Sequence, residues 1–198
     1  MNVIFDSIYA RACMGAGLAV LTGLRAFLPL AFVAFYSRLD FASSPKLTDT
    51  PLAFLENWWV IAILLSLAVV ELVADKVFIR SAVLARATQP LKVVFGGLVF
   101  AAPAASDGWI AMLVTGIAGL IIAGLTAHVW QQARPANAEK PALVLVSLYV
   151  DIIVLIGTLI FVLLPLIGAL LACFVILVFY RVRVISKRKH RGLRILRD

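Results

Sequence analysis

The sequence predicts an all-α, polytopic membrane protein with about six transmembrane helices. Its composition is the first observation, since 64% of the 198 residues are apolar and the mean hydropathy is +1.08. A soluble domain is usually less than half apolar. The second observation is that several apolar segments are long enough to cross roughly 30 Å of hydrocarbon. The third is the uneven distribution of Lys and Arg, which predicts the side of the membrane on which each loop lies.

The apolar segments divide the chain into six predicted spans. They lie at 12–36, 55–77, 92–105, 109–130 and, twice, within 142–180. As one helix the last segment would be roughly 58 Å long, far more than one crossing needs. It is therefore split near Pro165, in a tight apolar hairpin. Residues 12–36 and 142–180 also have a second interpretation, in which they re-enter the membrane without crossing it.

The first span contains a predicted helix break. The run Gly23-Leu24-Arg25-Ala26-Phe27-Leu28-Pro29 places a glycine, an arginine and a proline at mid-depth. Such residues kink or break a helix in an apolar setting. Residues 78–91 predict a short interfacial helix that Gln89-Pro90 ends, and Lys92 is expected to reach back to the headgroups.

Charge predicts the orientation. The loop 76–92 carries four Lys and Arg and no acid, and residues 181–198 hold eight of the eighteen Lys and Arg, whereas loops 38–51 and 106–108 have no net positive charge. With six spans, the positive-inside rule then places both termini in the cytoplasm of a bacterial inner membrane. The chain divides into one transmembrane domain, 1–182, and a basic tail, 183–198, whose expected partner is anionic lipid headgroups and not nucleic acid.

Four ionisable residues inside apolar spans are candidates for function. Each would cost roughly 2.5–3.5 kcal/mol at a helix centre. Arg25 is a candidate anion or gating residue, and Glu71, Asp75 and Asp151, with Ser147 one turn before Asp151, are candidates for proton or cation handling. Glu71 and Asp75 are four residues apart and share a helix face. The alternative, which stays open here, is that these groups are structural ion pairs. His128, beside Trp130, is expected at the interface.

Two short similarities suggest an inverted repeat of three plus three spans. Glu71-Leu72-Val73-Ala74-Asp75 precedes Pro90, much as Ser147-Leu148-Tyr149-Val150-Asp151 precedes Pro165. Gly23-Leu24-Arg25-Ala26 has a fainter counterpart in Gly124-Leu125-Thr126-Ala127. Inverted repeats are the architecture of many secondary transporters.

The chain resembles a family of bacterial integral membrane proteins, domain of unknown function 4126. The resemblance is carried by Gly23-Leu24-Arg25-Ala26-Phe27-Leu28-Pro29 and by Glu71-Leu72-Val73-Ala74-Asp75-Lys76. In a third, poorer match, Ser147 and Asp151 fit the family pattern, while Lys140 and Val150 depart from it. The resemblance covers most of residues 15–180. It implies a compact helical membrane fold, and it implies no reaction or substrate.

Three functions are compatible with these residues. The first is a small secondary transporter or flippase-like carrier for an anionic solute or lipid, with proton coupling through the acids. The second is a non-catalytic scaffold or assembly subunit whose charges pair with one another. The third, a lipid-modifying enzyme, is less favoured because no nucleophile–base arrangement, phosphate loop or metal-ligand spacing is recognisable. No cofactor is expected, and glycine-rich helices allow a homo-oligomer.

Overall fold

The computed structural model describes residues 8–39, 45–77, 82–133 and 139–195, with side chains from 88 to 133 and from 139 to 181 in the last two ranges. Within these ranges every regular element is helical. The α-helices are α1 (Ile8–Leu24), α2 (Phe27–Arg38), α3 (Trp58–Val77), α4 (Ala82–Ala104), α5 (Trp109–Ala133), α6 (Lys140–Leu163) and α7 (Pro165–Ile195). Single 3₁₀ turns, Ala53–Glu56 and Ala105–Asp107, precede α3 and α5.

Within the described ranges two helices, α5 and α6, are long and apolar enough to cross a membrane. Helices α1, α2 and the first part of α7 are apolar but shorter. Large apolar side chains are exposed along the outward faces of several helices, for example Val69 of α3, Ile117 of α5 and Leu170 of α7. The coarse prediction of a helical, apolar bundle is therefore confirmed, while the number of crossings stays a prediction.

The predicted break in the first span is present. The helix is interrupted at Arg25 and Ala26, between α1 and α2. Ala26 keeps helical φ and ψ of −67° and −51°, but its N–H and that of Phe27 donate to Glu71. Pro29 lies in the first turn of α2, where an N–H has no intrahelical partner, so it is tolerated there. Gly23 has a different role from the one predicted. A Cβ at Gly23 would lie 2.6 Å from the carbonyl oxygen of Ala123, so this glycine allows α1 to approach α5.

Helix α1 begins at the end of the bundle where α4 turns into α5. Arg11 pairs with Asp107 in that turn, and 14 residues later Arg25 lies at the other end of α1. Helix α2 then turns back, because Phe27 contacts Phe95 and its buried residues share a core with parts of α4 nearer to Asp107. Arg38 at the end of α2 lies over Trp58, whereas Glu71 of the same α3 contacts the start of α2, so α1 and α2 form a helical hairpin. Whether 12–36 crosses or re-enters a membrane stays a prediction.

The second predicted boundary, near Pro165, is correct, since α6 ends at Leu163 and α7 begins at Pro165. The boundary at Gln89-Pro90 is wrong, because α4 runs through Pro90 without ending. A proline removes one backbone hydrogen bond, and the flanking segments can stay helical when packing supports them. Helix α7 continues across 182–183 to Ile195, and the tail's side chains lie outside those described.

Helices α1, α4, α5 and α7 form the most closely packed part of the bundle, here called the glycine-packed group. A Cβ at Gly119 of α5 would lie 2.7 Å from Phe100 Cβ of α4, and one at Gly17 of α1 would lie 2.8 Å from Phe161 and closer still to Gly168 of α7. Small residues on these helices therefore let the backbones approach closely. Helices α2, α3 and α6 pack around this group with fewer contacts.

The proposed inverted repeat receives no support from α1 and α5. Gly23 and Gly124, the matched positions, lie on helices that run in the same direction, since α1 begins at Asp107, just before α5, and Gly23 meets Thr126 of α5. Helices related by an inverted repeat would run in opposite directions.

Candidate functional site

The end of α1 carries a cluster of charged side chains, here called the charge cluster. Its members come from three helices, α3, α4 and α6, and from the break after α1. It lies about 21 Å along α1 from Arg11 at about 1.5 Å per residue. The cluster consists of Arg25, Glu71, Asp75, Lys76, Lys92, Ser147 and Asp151.

Arg25 is the centre of the cluster, and only 4% of its surface is exposed. Its Nε donates to Asp151 Oδ1 at 2.6 Å, and its Nη2 donates to Asp75 Oδ2 at 2.9 Å. Nη2 also donates to Ser147 Oγ at 2.8 Å, and that hydroxyl in turn donates to Asp75 Oδ2 at 2.7 Å. The guanidinium therefore joins α1 to α3 and α6 through two carboxylates.

Lys76 completes the pairing of Asp151. Its Nζ donates to Asp151 Oδ2 on α6 and, at 3.2 Å, to the carbonyl oxygen of Leu72 in its own helix. Each oxygen of Asp151 thus has a cationic partner. Among the four residues of these ion pairs Lys76 is the most exposed, with 31% of its side-chain surface accessible, so the cluster approaches solvent at the end of α3.

Glu71 binds the broken backbone and does not pair with Asp75 or accept from Arg25. Its two carboxylate oxygens accept from the backbone N–H groups of Ala26 and Phe27 at 2.9 and 3.1 Å. These amides lose their intrahelical acceptors at the break, and a carboxylate at a helix N-terminus also interacts favourably with the helix dipole. Glu71 and Asp75 share a helix face but bind different partners: Glu71 accepts from the backbone, whereas Asp75 and Asp151 share Arg25.

Lys92 binds the backbone on the other side of the same break, at the end of α1. Its Nζ donates to the carbonyl oxygen of Leu24, at the C-terminus of α1, at 2.8 Å. A cation is favourable at this end of a helix dipole. The expectation that Lys92 reaches back to the headgroups is therefore wrong. The physical reason is that α4 begins ten residues before Lys92, which places its side chain beside the helix break.

The charges of the cluster balance. Three cations, Arg25, Lys76 and Lys92, face three carboxylates. The glycine-packed group supplies two cations from α1 and α4, whereas α3 and α6 supply the carboxylates and Lys76, a net charge of minus two. The cluster thus lies where the two parts of the bundle meet and holds them together by opposite charge.

Sequence reasoning found four of the cluster's charged residues and Ser147, and it missed the roles of Lys76 and Lys92. Lys76 adjoins Asp75, so a count of balancing charges would have included it. His128 lies apart from the cluster, beside Gln132 and Phe179. No group of His, Cys, Asp and Glu suited to a metal ion occurs among the residues that the structure describes.

A family model described as Domain of unknown function (DUF4126) matches residues 12–184. The chain belongs to this family. No curated protein and no solved structure matches the chain. The match includes every member of the charge cluster and confirms the resemblance drawn from the motifs around Arg25 and Glu71. The family description assigns no reaction, so any function must be argued from the cluster itself.

Proposed function

We propose that this protein is a small secondary carrier of the bacterial inner membrane, coupled to protons and specific for an anionic solute or lipid headgroup. The observation that carries the proposal is that Asp75 and Asp151 form ion pairs with the buried Arg25, which lies at a break in a helix. Both carboxylates are attached to helices outside the glycine-packed group. An anionic substrate would compete with them for Arg25.

The surface of the bundle supports a place in the membrane. Trp109 and Trp130 lie at the two ends of α5, about 31 Å apart at about 1.5 Å per residue, which is close to the thickness of the hydrocarbon. In this arrangement α3 to α7 cross, and α1 and α2 form a re-entrant pair from the side of the α4–α5 turn. The start of α1 then lies on the outer side, which differs from the cytoplasmic N-terminus that six spans predict. The ends of α3 and α7 then face the cytoplasm with the basic tail, which would contact anionic lipid.

Energetics favours a working role for the cluster over a structural one. Each ionisable group in a membrane interior is costly, and apolar side chains of similar volume often replace a buried ion pair without loss of stability. Six charged groups would be an expensive way to join helices. In the proposed mechanism, protons on Asp75 or Asp151 weaken their pairing with Arg25, the anion takes their place, and α3 and α6 move relative to α1.

Glu71 gives a second point of proton control. While ionised, its carboxylate occupies the two free amides at the start of α2. Once protonated it accepts less strongly, because charge-assisted hydrogen bonds are roughly twice as strong as neutral ones. Protonation would therefore loosen the break that positions Arg25.

The experiment is a flux assay in liposomes with an imposed pH gradient and an internal pH dye. Inorganic phosphate, di- and tricarboxylates and a fluorescent phosphatidylglycerol are the probes. Arg25→Gln and Asp151→Asn remove charge at nearly constant size, and Glu139→Gln, at an exposed residue before α6, is the matched control. The carrier predicts proton-linked flux of one probe class that the first two variants abolish and the control keeps.

A scaffold is the second candidate, and the mutual satisfaction of the cluster's charges favours it. In the conformation described, each carboxylate already has its donors within the protein. A scaffold predicts no flux of any probe even in the parent protein. The absence of flux is the distinguishing result, because both functions predict that the cluster variants lose thermal stability.

A further inference from the structure

A second ion pair lies at the opposite end of α1 from the charge cluster. Arg11 Nη2 is 2.7 Å from Asp107 Oδ1, and Arg11 Nη1 donates to Ser106 Oγ at 3.0 Å. Asp107 belongs to the turn between α4 and α5. The pair therefore ties the beginning of α1 to that turn, on the side of the bundle that the loop charges predict to be outside.

The space between the two charged sites is closed. Between Arg11 and Arg25, residues 14–23 of α1 are all buried. Thr22 is one of the few polar residues on this stretch, and its hydroxyl donates to the carbonyl oxygen of Leu18 in the same helix. No polar route thus leads along α1 from one ion pair to the other among the residues described, and access to Arg25 from the Asp107 side requires α1 to separate from its neighbours there.

The Arg11–Asp107 contact has features of a contact that can open. The two side chains have exposed fractions of 26% and 14%, so the pair borders on solvent. Asp107 Oδ2 is buried and has no hydrogen-bond partner in the described part of the chain, which leaves this carboxylate only half satisfied. An incompletely satisfied buried acceptor lowers the stability of the closed contact relative to one exposed to water.

The turn that carries Asp107 has room to move. Gly108 follows with φ of 109°, and nothing lies within 4 Å of the position where its Cβ would be. Farther into the bundle, α4 and α5 are held together by close contacts at Gly96 and Gly119. The turn is thus loosely packed at Gly108, whereas the two helices are in close contact deeper in the bundle.

We propose that Arg11 and Asp107 form a gate at the end of the bundle opposite the charge cluster, and that this gate opens when Arg25 becomes accessible from that side. The role given to this gate, control of access to Arg25, rests on the proposed carrier function. The contact itself can be tested without any flux measurement.

The test uses Cys13, which is partly buried two residues after Arg11. Replacing the exposed Cys173 by Ala leaves Cys13 as the single thiol. The rate of its reaction with a membrane-impermeant maleimide is then measured in proteoliposomes. Arg11→Gln and Asp107→Asn remove one charge each, the double variant Arg11→Asp with Asp107→Arg restores opposite charges, and Glu139→Gln is the control.

The gate predicts that each single variant raises the labelling rate about fivefold, a shift typical of losing a partly exposed ion pair. The charge-reversed double variant should return the rate toward that of the parent. Labelling rates within about twofold of the parent in every variant would overturn the proposal. They would mean that losing the ion pair does not change the fraction of molecules in which Cys13 is accessible.

If a single variant fails to fold, the second measurement is a cross-link. Cysteines at positions 11 and 107, in a background without Cys13 and Cys173, are joined by a reducible bis-maleimide. A gate predicts that flux stops and returns on reduction, and flux that continues through the cross-link would refute it. If the labelling rate of Cys13 changes in the single variants but no protein shows flux, the carrier is rejected and the Arg11–Asp107 contact is kept. If the labelling rate is unchanged but flux depends on Arg25, the gate alone is rejected.

Discussion

The glycine-packed group and the charge cluster hold helices together by different means. In the first, small residues let backbones touch, as where a Cβ at Gly23 would lie 2.6 Å from Ala123 O. In the second, side chains that extend from different helices meet at one guanidinium. Close packing is lost when any atom is added, whereas charge pairing is lost when a proton is added. The difference shows which part of the bundle can respond to pH and to a charged ligand.

The largest expected effect is the loss of the central cation. Arg25→Met should leave Asp75 and Asp151 buried without their shared partner and destabilise the protein by about 3–5 kcal/mol. Thermal unfolding in detergent, followed by tryptophan fluorescence, measures the change. Lys140→Gln, at an exposed position at the start of α6, is the control and should leave the unfolding midpoint unchanged. A small effect for Arg25→Met would mean that the cluster contributes little to holding α1 against α3 and α6.

The second prediction concerns close packing in α5. Gly119→Ala should cost about 1–3 kcal/mol, because its Cβ would meet Phe100 Cβ at 2.7 Å and the backbone at Gly96. Gly124→Ala, in the same helix, has Val93 Cγ2 at 3.5 Å as its nearest neighbour. This control should be neutral or stabilising by about 0.5–1 kcal/mol, since alanine favours a helix interior. Equal effects at the two glycines would contradict the account of α4–α5 packing.

The third prediction concerns the cap at the break. Glu71→Gln should destabilise the protein by about 1–2 kcal/mol, because the amide keeps one acceptor and turns a donor toward the N–H groups of Ala26 and Phe27. Denaturant titration measures this loss. The loss in Glu71→Gln should be larger near neutral pH, where the parent's carboxylate is charged, than in acid, where both side chains are neutral. A parent protein whose stability and flux followed the same pH dependence as this variant would show that ionised Glu71 is not the cap.

The smallest effect is expected where a buried hydroxyl serves its own helix. Thr22 Oγ1 donates to Leu18 O at 2.8 Å, and Thr158 Oγ1 donates to Leu155 O at 2.7 Å. Replacing either by Val removes only this local bond and should change stability by less than about 1 kcal/mol. Unfolding midpoints and flux should match those of the parent. A large loss of flux in either variant would place a polar pathway where the structure has none.

Sequence reasoning located most of the charge cluster and could not give its pairing. Arg25, Asp75 and Asp151 are conspicuous because charged residues are rare in apolar spans. Their meeting depends on α1 and α6, whose contacting residues are 126 positions apart. No local pattern encodes such a distance. Local patterns did succeed at the break after Gly23 and at Pro165, where the residues themselves restrict the backbone.

Two errors had one cause, the assumption that a proline ends a helix. Ending a helix at Pro90 moved Lys92 to a predicted membrane border and concealed that it caps α1. For residues 12–36 the sequence left two interpretations open, a single crossing and a re-entrant pair. Charge distribution orients whole spans, and it contains no information on whether a short broken helix turns back inside the bundle.

The most direct test of the central claim compares Glu71→Gln with Gly119→Ala in the same proteoliposome flux assay, corrected for the amount of folded protein. Both variants are expected to lose a similar amount of stability, one at the charge cluster and one in the glycine-packed group. The account predicts that Gly119→Ala keeps flux within about twofold of the parent, while Glu71→Gln loses at least about tenfold, equivalent to about 1.4 kcal/mol in the barrier. Flux that falls equally in both variants, in proportion to stability, would contradict it and assign the charges a structural role.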